Sequence, residues 1–563
     1  MKHWIFLLSL AASAQTADTI YYNAKIVTMS SAKPTAEAVA IRGNRFLAVG
    51  SNAEILKLAA ATTQKHDLQG KSVLPGLIDS HVHPIMAALS EQDGPVPVMR
   101  SIAEVQTYLK KLAATTPKDK VLFVPKIYST RLQDRRYPTR YEIDAAAPDH
   151  IAMTDNGYAS VLNSKALVQL GINRNSPQPA NGKIIKDEKG EPTGLILGAP
   201  QLLGKYRAAR AATDADRLWA LKAMQKKYNE VGFTSVIDRA QGPEGFRAYQ
   251  QLAQRKEMTV RTTVTYLLNA QGKPEDVRRE IERIPFVTGF GDDWFRVGPI
   301  KTVADGGILI GTAYLREPYG EHTDIYGYKD PDYRGVLSVP RENLIEMART
   351  ANRLGWQMTA HTAGSGAIDV LLDAYEEANK DKSIRGRRFT VTHGNFPSEE
   401  AVDRAAKLGV AFDCQPQWYY FDGPALAPVF GPSRMKRFQP LKTMLAKNVV
   451  VAGGSDHMIR FDSRDAINAY NPFWGMWMTI TRQTVTGTPI NPEEALTREQ
   501  ALRLWTLNSA YLSFEEDRKG SIEPGKLADM VVISDDFLNC PIDRLKDIEA
   551  LTTIVDGKVV FNR

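Results

Sequence analysis

The alternation of apolar and polar positions divides the chain into a strand-rich start, a long mixed middle and a strand-rich end. From residue 19 to about residue 73 the pattern is that of short strands, as in Ile20-Tyr21-Tyr22-Asn23-Ala24-Lys25-Ile26-Val27, Ala38-Val39-Ala40-Ile41 and Phe46-Leu47-Ala48-Val49. Turn residues such as Gly43-Asn44 separate them. The C-terminal end repeats the style at 528–533 and 552–560, the latter with an Asp556-Gly557 hairpin signal. Strands at both ends predict one small β-sandwich domain assembled from residues 15–73 and 513–563. In between, apolar runs at 73–82, 233–238, 295–304, 357–361, 388–393, 410–415 and 449–453 alternate with helical stretches at 342–354, 367–379, 399–408 and near 499–512. The last helix opens with the capping box Thr497-Arg498-Glu499-Gln500. Such alternation predicts parallel βα units. The expected fold class is therefore α/β, with a TIM-like (β/α)8 barrel over residues 74–512. Residues 91–229 read as irregular and long for a loop, and are expected to be an insertion near the barrel mouth.

The first residues change this picture. Met1-Lys2-His3 gives a short positive start, Trp4-Ile5-Phe6-Leu7-Leu8-Ser9-Leu10 is apolar, and Ala12-Ser13-Ala14 offers small residues for cleavage. The segment reads as a signal peptide, residues 1–14, cleaved after Ala14, which places the protein in the periplasm or outside the cell; the alternative is a cytosolic chain with an apolar start. The run is too short to span a bilayer, no later stretch reaches about 18 uninterrupted apolar residues, and no membrane association is expected. With 43% hydrophobic and 24% charged residues the rest has a globular composition. Lys+Arg exceed Asp+Glu by 71 − 64 = +7 without any long basic run, so capture of nucleic acid is not expected. Two cysteines, Cys414 and Cys540, are too few for a disulfide framework or a cysteine zinc site; whether they pair is left open.

Only nine histidines occur, so each position carries weight. His81-Val82-His83 ends an apolar run, and residues two apart on a strand point the same way. Such a pair either shares a metal or is a pair of packed or solvated histidines. The same strand-end position recurs at His361, His393 and Asp456, and Lys301 lies in the strand run before Asp305-Gly306-Gly307. In a βα barrel the C-terminal ends of the strands converge on one cavity. Any one of these residues alone could be a hydrogen-bonded polar group at a strand end; together they predict a metal site.

At this point the sequence resembles the amidohydrolase superfamily, and within it the branch called amidohydrolase family 3, which includes N-substituted formamide deformylase. The motifs are Leu74-Pro75-Gly76-Leu77-Ile78-Asp79-Ser80-His81-Val82-His83, Asn163-Ser164-Lys165-Ala166-Leu167, Gly190-Glu191-Pro192-Thr193-Gly194 and Gly520-Ser521-Ile522-Glu523-Pro524-Gly525-Lys526-Leu527-Ala528-Asp529. The resemblance implies two divalent metal ions, zinc first. It assigns His81 and His83 to the more buried ion, His361 and His393 to the more exposed one, and a carbamylated Lys301, derived from carbon dioxide, as the bridge. Asp456 would touch the buried ion and serve as the catalytic base and then acid while a metal-bound hydroxide attacks a carbonyl. The alternative for Lys301 is an ordinary ion pair, with Asp305 as the candidate partner.

Relatives carry Asp-Gly-His where this chain reads Asp155-Asn156-Gly157-Tyr158, an arginine near Gly311, an Asp-Arg pair near Ser365-Gly366 and a histidine near Trp418. Tyr158 at the first of these positions, Gln415 and Trp418 in a segment that follows a barrel strand, and His457, which adjoins Asp456, are the candidate substrate contacts, although the aromatics around 418–421 fit ordinary packing under the insertion equally well. His66, His150 and His322 read as surface residues. The expected activity is hydrolysis of a non-peptide C–N bond, an amide, cyclic amide or N-acyl group, in a small molecule. A deaminase, esterase or dipeptidase using the same site is the alternative, as is a non-catalytic metal-binding or sensory protein. A homo-oligomer stays open.

Overall fold

The computed structural model describes residues 16–179, 182–208 and 211–563; the expected signal peptide lies outside the described residues. Eight parallel strands form one sheet in chain order: β1 (Leu77–Val82), β2 (Phe233–Gln241), β3 (Arg261–Leu267), β4 (Phe295–Val303), β5 (Met358–Thr362), β6 (Thr390–His393), β7 (Ala411–Cys414) and β8 (Val451–Gly453). The two sheet ends meet. Val82 bridges His457 in parallel, and the Asp456 N–H donates to the His81 carbonyl at 2.8 Å. The result is a nearly closed parallel α/β barrel, consistent with the expected TIM-like topology.

Amphipathic helices cover the strands. Arg341–Leu354 follows β4 and buries Leu344, Met347 and Ala351; Ser365–Asp381 follows β5 and buries Ile368, Leu371, Leu372 and Tyr375. These positions recur at three- and four-residue intervals and make one apolar face. The apolar run at 73–82 divides at Gly76 into Ser72–Pro75, which joins another sheet, and β1. A side chain at Gly76 would start 2.2 Å from Thr234 Oγ1, so only glycine passes there. The helix expected near 499–512 is two helices, Arg498–Leu504 and Leu507–Leu512. Its capping box forms, with Thr497 N–H on Gln500 Oε1 at 2.9 Å. The break follows from Trp505, whose carbonyl accepts the Ile78 N–H of β1 at 2.7 Å instead of continuing the helix.

The stretch between β1 and β2 is more regular than its sequence suggests. It holds a five-stranded sheet in the order Lys183–Lys186, Pro192–Leu197, Ala159–Leu162, Ile151–Asp155, Val121–Pro125. Two further sheets lie at the chain ends. One has four strands between Ala17 and Asp67; the other has six and joins Lys25–Val27, Thr35–Ala36 and Ser72–Pro75 to Met530–Ile533, Ala550–Val555 and Lys558–Asn562. Tyr21, Val39 and Phe46 of the first share a buried cluster with Ile26, Val73, Met530 and Ile554 of the second. The Asp556-Gly557 turn has φ of 59° and 73°, the double left-handed geometry of a tight hairpin. Among the described residues no helix is long and apolar enough to cross a membrane.

Arg261, at the start of β3, ties the barrel to the C-terminal segment. Its guanidinium donates to Asp529 Oδ2 at 2.7 Å, to Asp556 Oδ1 at 2.9 Å and to the Asp293 carbonyl at 3.0 Å, and the arginine is 1% exposed. Arg261→Ala leaves two carboxylates facing each other without their cation. The expected cost is about 3–5 kcal/mol, read as a lower urea midpoint; an unchanged midpoint would show that this link does not hold the two parts together.

Candidate metal centre

All eight barrel strands run the same way, so their C-terminal ends open on one face. β1 carries His81 next to its last residue and is followed by His83, β5 and β6 carry His361 and His393, β4 carries Lys301, and Asp456 follows β8. His81 Nε2, His83 Nε2 and Asp456 Oδ1 lie 3.2–3.3 Å from one another. Tetrahedral zinc, with bonds of about 2.0–2.2 Å, sets its ligand atoms about 3.3–3.6 Å apart, so these three atoms have the spacing of a cation's ligand face. The rings of His361 and His393 are 4.4 Å apart, and that of His393 is 5.1 Å from His81.

Three of the four histidines have one nitrogen committed elsewhere, while His83 Nδ1 is buried without a hydrogen-bond partner among the described residues. His81 Nδ1 pairs with Asp413 Oδ2 at 2.8 Å, His393 Nδ1 with Gln415 Oε1 at 2.7 Å, and His361 Nε2 with the Gly306 carbonyl at 3.0 Å. An acceptor on one ring nitrogen places the proton there and leaves the lone pair on the other. Nε2 of His81 and His393 and Nδ1 of His361 are thus the nitrogens free for a metal.

Burial keeps these rings neutral. It pushes His81 and His393 well below the usual imidazole range, with Lys301 and neighbouring histidines adding to the effect. His361 is pushed down to about 4 by burial and then by Lys301. Neutral imidazole is the form that binds metal. Lys301 is 4% exposed. Burial, then Arg239, lowers its amine to about 8, against the opposite pull of Asp456, Asp413 and Asp238. Among the described residues it makes no ion pair. Asp305, the candidate partner in the alternative reading of Lys301 as an ordinary ion pair, is instead held by the N–H groups of Tyr314, Ala363 and Gly364 at 2.8–3.0 Å.

Several groups around the ligands were not legible in the sequence. Asp413, buried in β7, holds His81 and also accepts from Ser80 Oγ at 2.6 Å. Arg239 lies 3.2 Å from the same carboxylate and donates to the Ser80 carbonyl at 2.7 Å. Asp79 accepts the N–H groups of His81 and Ser455 at 2.9 and 3.0 Å, and burial raises its carboxyl to about 7. The available signal was an acidic residue set inside an otherwise apolar strand.

Of the expected substrate contacts, Tyr158 reaches the centre: its ring lies 5.3 Å from that of His361. Trp418 packs beside Tyr128, with ring centres 6.4 Å apart. Gln415 is fully buried and bound to His393, and its Nε2 donates to the Asp413 carbonyl at 2.9 Å, so it orients ligands instead of meeting substrate. His457 does not face the ligands. It is fully buried, with Nε2 on the Arg460 carbonyl at 2.7 Å, Nδ1 on the Tyr228 hydroxyl at 3.2 Å, and its ring against Tyr470. His150, read as a surface residue, is buried with Nε2 on the Thr116 carbonyl. Both cysteines are free and buried.

Residues 64–561 match the sequence model of the amidohydrolase family. The chain belongs to the amidohydrolase family. It is a hydrolase acting on carbon–nitrogen bonds. This amidohydrolase is 28% identical to an N-substituted formamide deformylase of Arthrobacter pascens over 571 residues, spanning 98% of this chain and 99% of the relative. It is 26% identical to a putative amidohydrolase of Bacillus subtilis strain 168, spanning 97% and 99% of the two. Its fold is similar to that of a solved, uncharacterised metal-dependent hydrolase from Pyrococcus horikoshii OT3, with a TM-score of 0.70, 22% identity, and 93% and 99% of the chains covered.

The amidohydrolase's dependence on Asp413 can be measured. Asp413→Ala removes the acceptor that fixes the His81 tautomer, and metal affinity is expected to fall about 10–100-fold in competition with a chromogenic chelator. Unchanged affinity would remove Asp413 from the account.

Proposed function

We propose that this protein is an exported metal-dependent hydrolase that cleaves a non-peptide C–N bond, in an amide, cyclic amide or N-acyl group of a small molecule. The observation that carries the reading is the meeting of His81, His83 and Asp456 ligand atoms, all within 4.8 Å of one another, at the end of the barrel where His361 and His393 also converge. These residues with Lys301 fit two divalent cations, zinc first because imidazole and carboxylate suit it. When bound, such cations polarise a carbonyl and bring the pKa of water toward neutrality.

The chain's own groups account for the rest. The Asp456 carboxylate takes a proton from the attacking water and passes it to the leaving nitrogen. The Lys301 amine, buried and among the described residues without an ion pair, is shifted by burial toward its neutral form. A neutral amine adds carbon dioxide: an N–C bond forms, one proton leaves the nitrogen, and the resulting carbamate offers two anionic oxygens. That change would turn an ammonium, which repels cations, into an anionic group that could help hold them. Tyr158, which reaches the centre where relatives carry a histidine, favours a substrate with an apolar or planar face, and for this reason deformylation is not carried over from the Arthrobacter pascens relative. Export rests on the N-terminal sequence pattern. The two sheets at the chain ends fit a composite β-sandwich of residues 15–73 and 513–563, and residues 91–229 an insertion at the barrel mouth.

The test is a screen of N-substituted formamides, cyclic amides and N-acyl amines for release of free amine, before and after removal of metal by a chelator. Activity should vanish on chelation and return with zinc. Asp456→Asn should keep its metal and lose about 10²–10⁴-fold in turnover. Full activity in the stripped protein would overturn the reading.

A further inference from the structure

Asp456 has φ of 56°, in the left-handed region that residues other than glycine rarely occupy. Both of its peptide groups are held there. Its N–H donates to the His81 carbonyl at 2.8 Å, and its carbonyl accepts Asn468 Nδ2 at 2.8 Å. Asn468 is fully buried, and the orientation of its amide is set from the other side. Asn468 Oδ1 accepts Arg131 Nη2 at 3.2 Å, which fixes the NH2 group toward Asp456.

Arg131 is itself locked. Its Nη2 and Nε donate to Asp422 Oδ2 and Oδ1 at 2.7 and 3.0 Å, and its Nη1 donates to the Ile467 carbonyl. The guanidinium lies 4.9 Å from the ring centre of Phe421 and 5.4 Å from that of Trp418. Asp422 is fully buried and also accepts Thr130 Oγ1 at 2.7 Å. Three separate parts of the chain are joined here. Thr130 and Arg131 come from the stretch between β1 and β2, Asp422 from the segment after β7, and Asn468 from the segment after β8.

We propose that Asn468, oriented by Arg131 and Asp422, is a positioning residue that holds Asp456 in its working conformation, a role that rests on the proton transfer assigned to Asp456 above. The residues between β1 and β2 thereby brace the centre as well as cover it. Without the Asn468 donor the Asp456 backbone is free to leave the left-handed region. Its carboxylate then leaves the 3.2–3.3 Å positions it holds against His81 and His83.

Cobalt(II), whose visible absorption reports the arrangement of its ligands, is the probe. The wild-type protein, Asn468→Ala, Asn468→Asp and Arg261→Ala are each loaded with it. Asn468→Asp keeps the volume and the acceptor for Arg131 while removing the NH2 donor, so it tests the bond if the alanine variant does not fold. Both Asn468 variants should bind as much cobalt per chain as the wild type and show a shifted visible band. Arg261→Ala, destabilised far from the centre, should keep the wild-type band. A wild-type band in the folded Asn468 variants overturns the proposal, as does an equal shift in Arg261→Ala. A wild-type protein that takes up no cobalt overturns the metal reading and this role with it.

Discussion

Two backbone hydrogen bonds, from Asp456 N–H to the His81 carbonyl and from His83 N–H to the His457 carbonyl, each 2.8 Å long, draw the last barrel strand against the first. The chemistry depends on this seam. It brings a carboxylate from one end of the barrel to two imidazoles from the other, across some 375 positions of sequence. The approach is close enough that Gly454 has no room for a side chain: a Cβ there would lie 2.7 Å from His81 Cβ. It also obliges Asp456, with φ of 56°, to occupy a conformation that costs about 1–3 kcal/mol. Such strain persists where surrounding bonds over-determine the backbone, and Asn468, His81 and Asp79 supply them around Asp456.

The second constraint is dryness. The centre holds four histidines, a lysine and an aspartate, with little contact with water. A buried imidazole sheds its proton because the charged form has lost its solvent, and burial moves the Lys301 amine in the same direction, to about 8. The result is a set of lone pairs facing inward and a row of acceptors, Asp413, Gln415 and the Gly306 carbonyl, facing them from behind. Such an arrangement is poor at stabilising itself, since lone pairs at 3.3 Å repel. It becomes favourable once a cation takes the space between them.

Much of this could be read from the residues. The strand-end histidines, Lys301 and Asp456 stood out because apolar runs ended on ligand types, and the barrel followed from the alternation of those runs with helices. β3 did not stand out. It begins Arg261-Thr262-Thr263, polar by residue type, and is buried because Arg261 finds carboxylates and Thr262 bonds the Val260 carbonyl. Asp79 and Asp413 were hidden by the same logic, as charges within apolar strands whose partners are distant in sequence. The five-stranded sheet between β1 and β2, with strands of four to six residues, reads in the sequence only as an irregular insertion. His457 was misplaced because adjacency to Asp456 says nothing of direction; the left-handed turn at Asp456 sends the next side chain into the core beside Tyr228 and Tyr470.

The central proposal is that these six side chains would hold divalent cations, with Lys301 carrying a carbamate. It is tested most directly by anomalous diffraction at the zinc edge, from crystals grown with zinc and bicarbonate. The account predicts one peak among His81, His83 and Asp456, a second against His361 and His393, and density extending Lys301 by a carboxylate between them. A metal-replete crystal with no anomalous peak at these residues and an unextended Lys301 amine would contradict it.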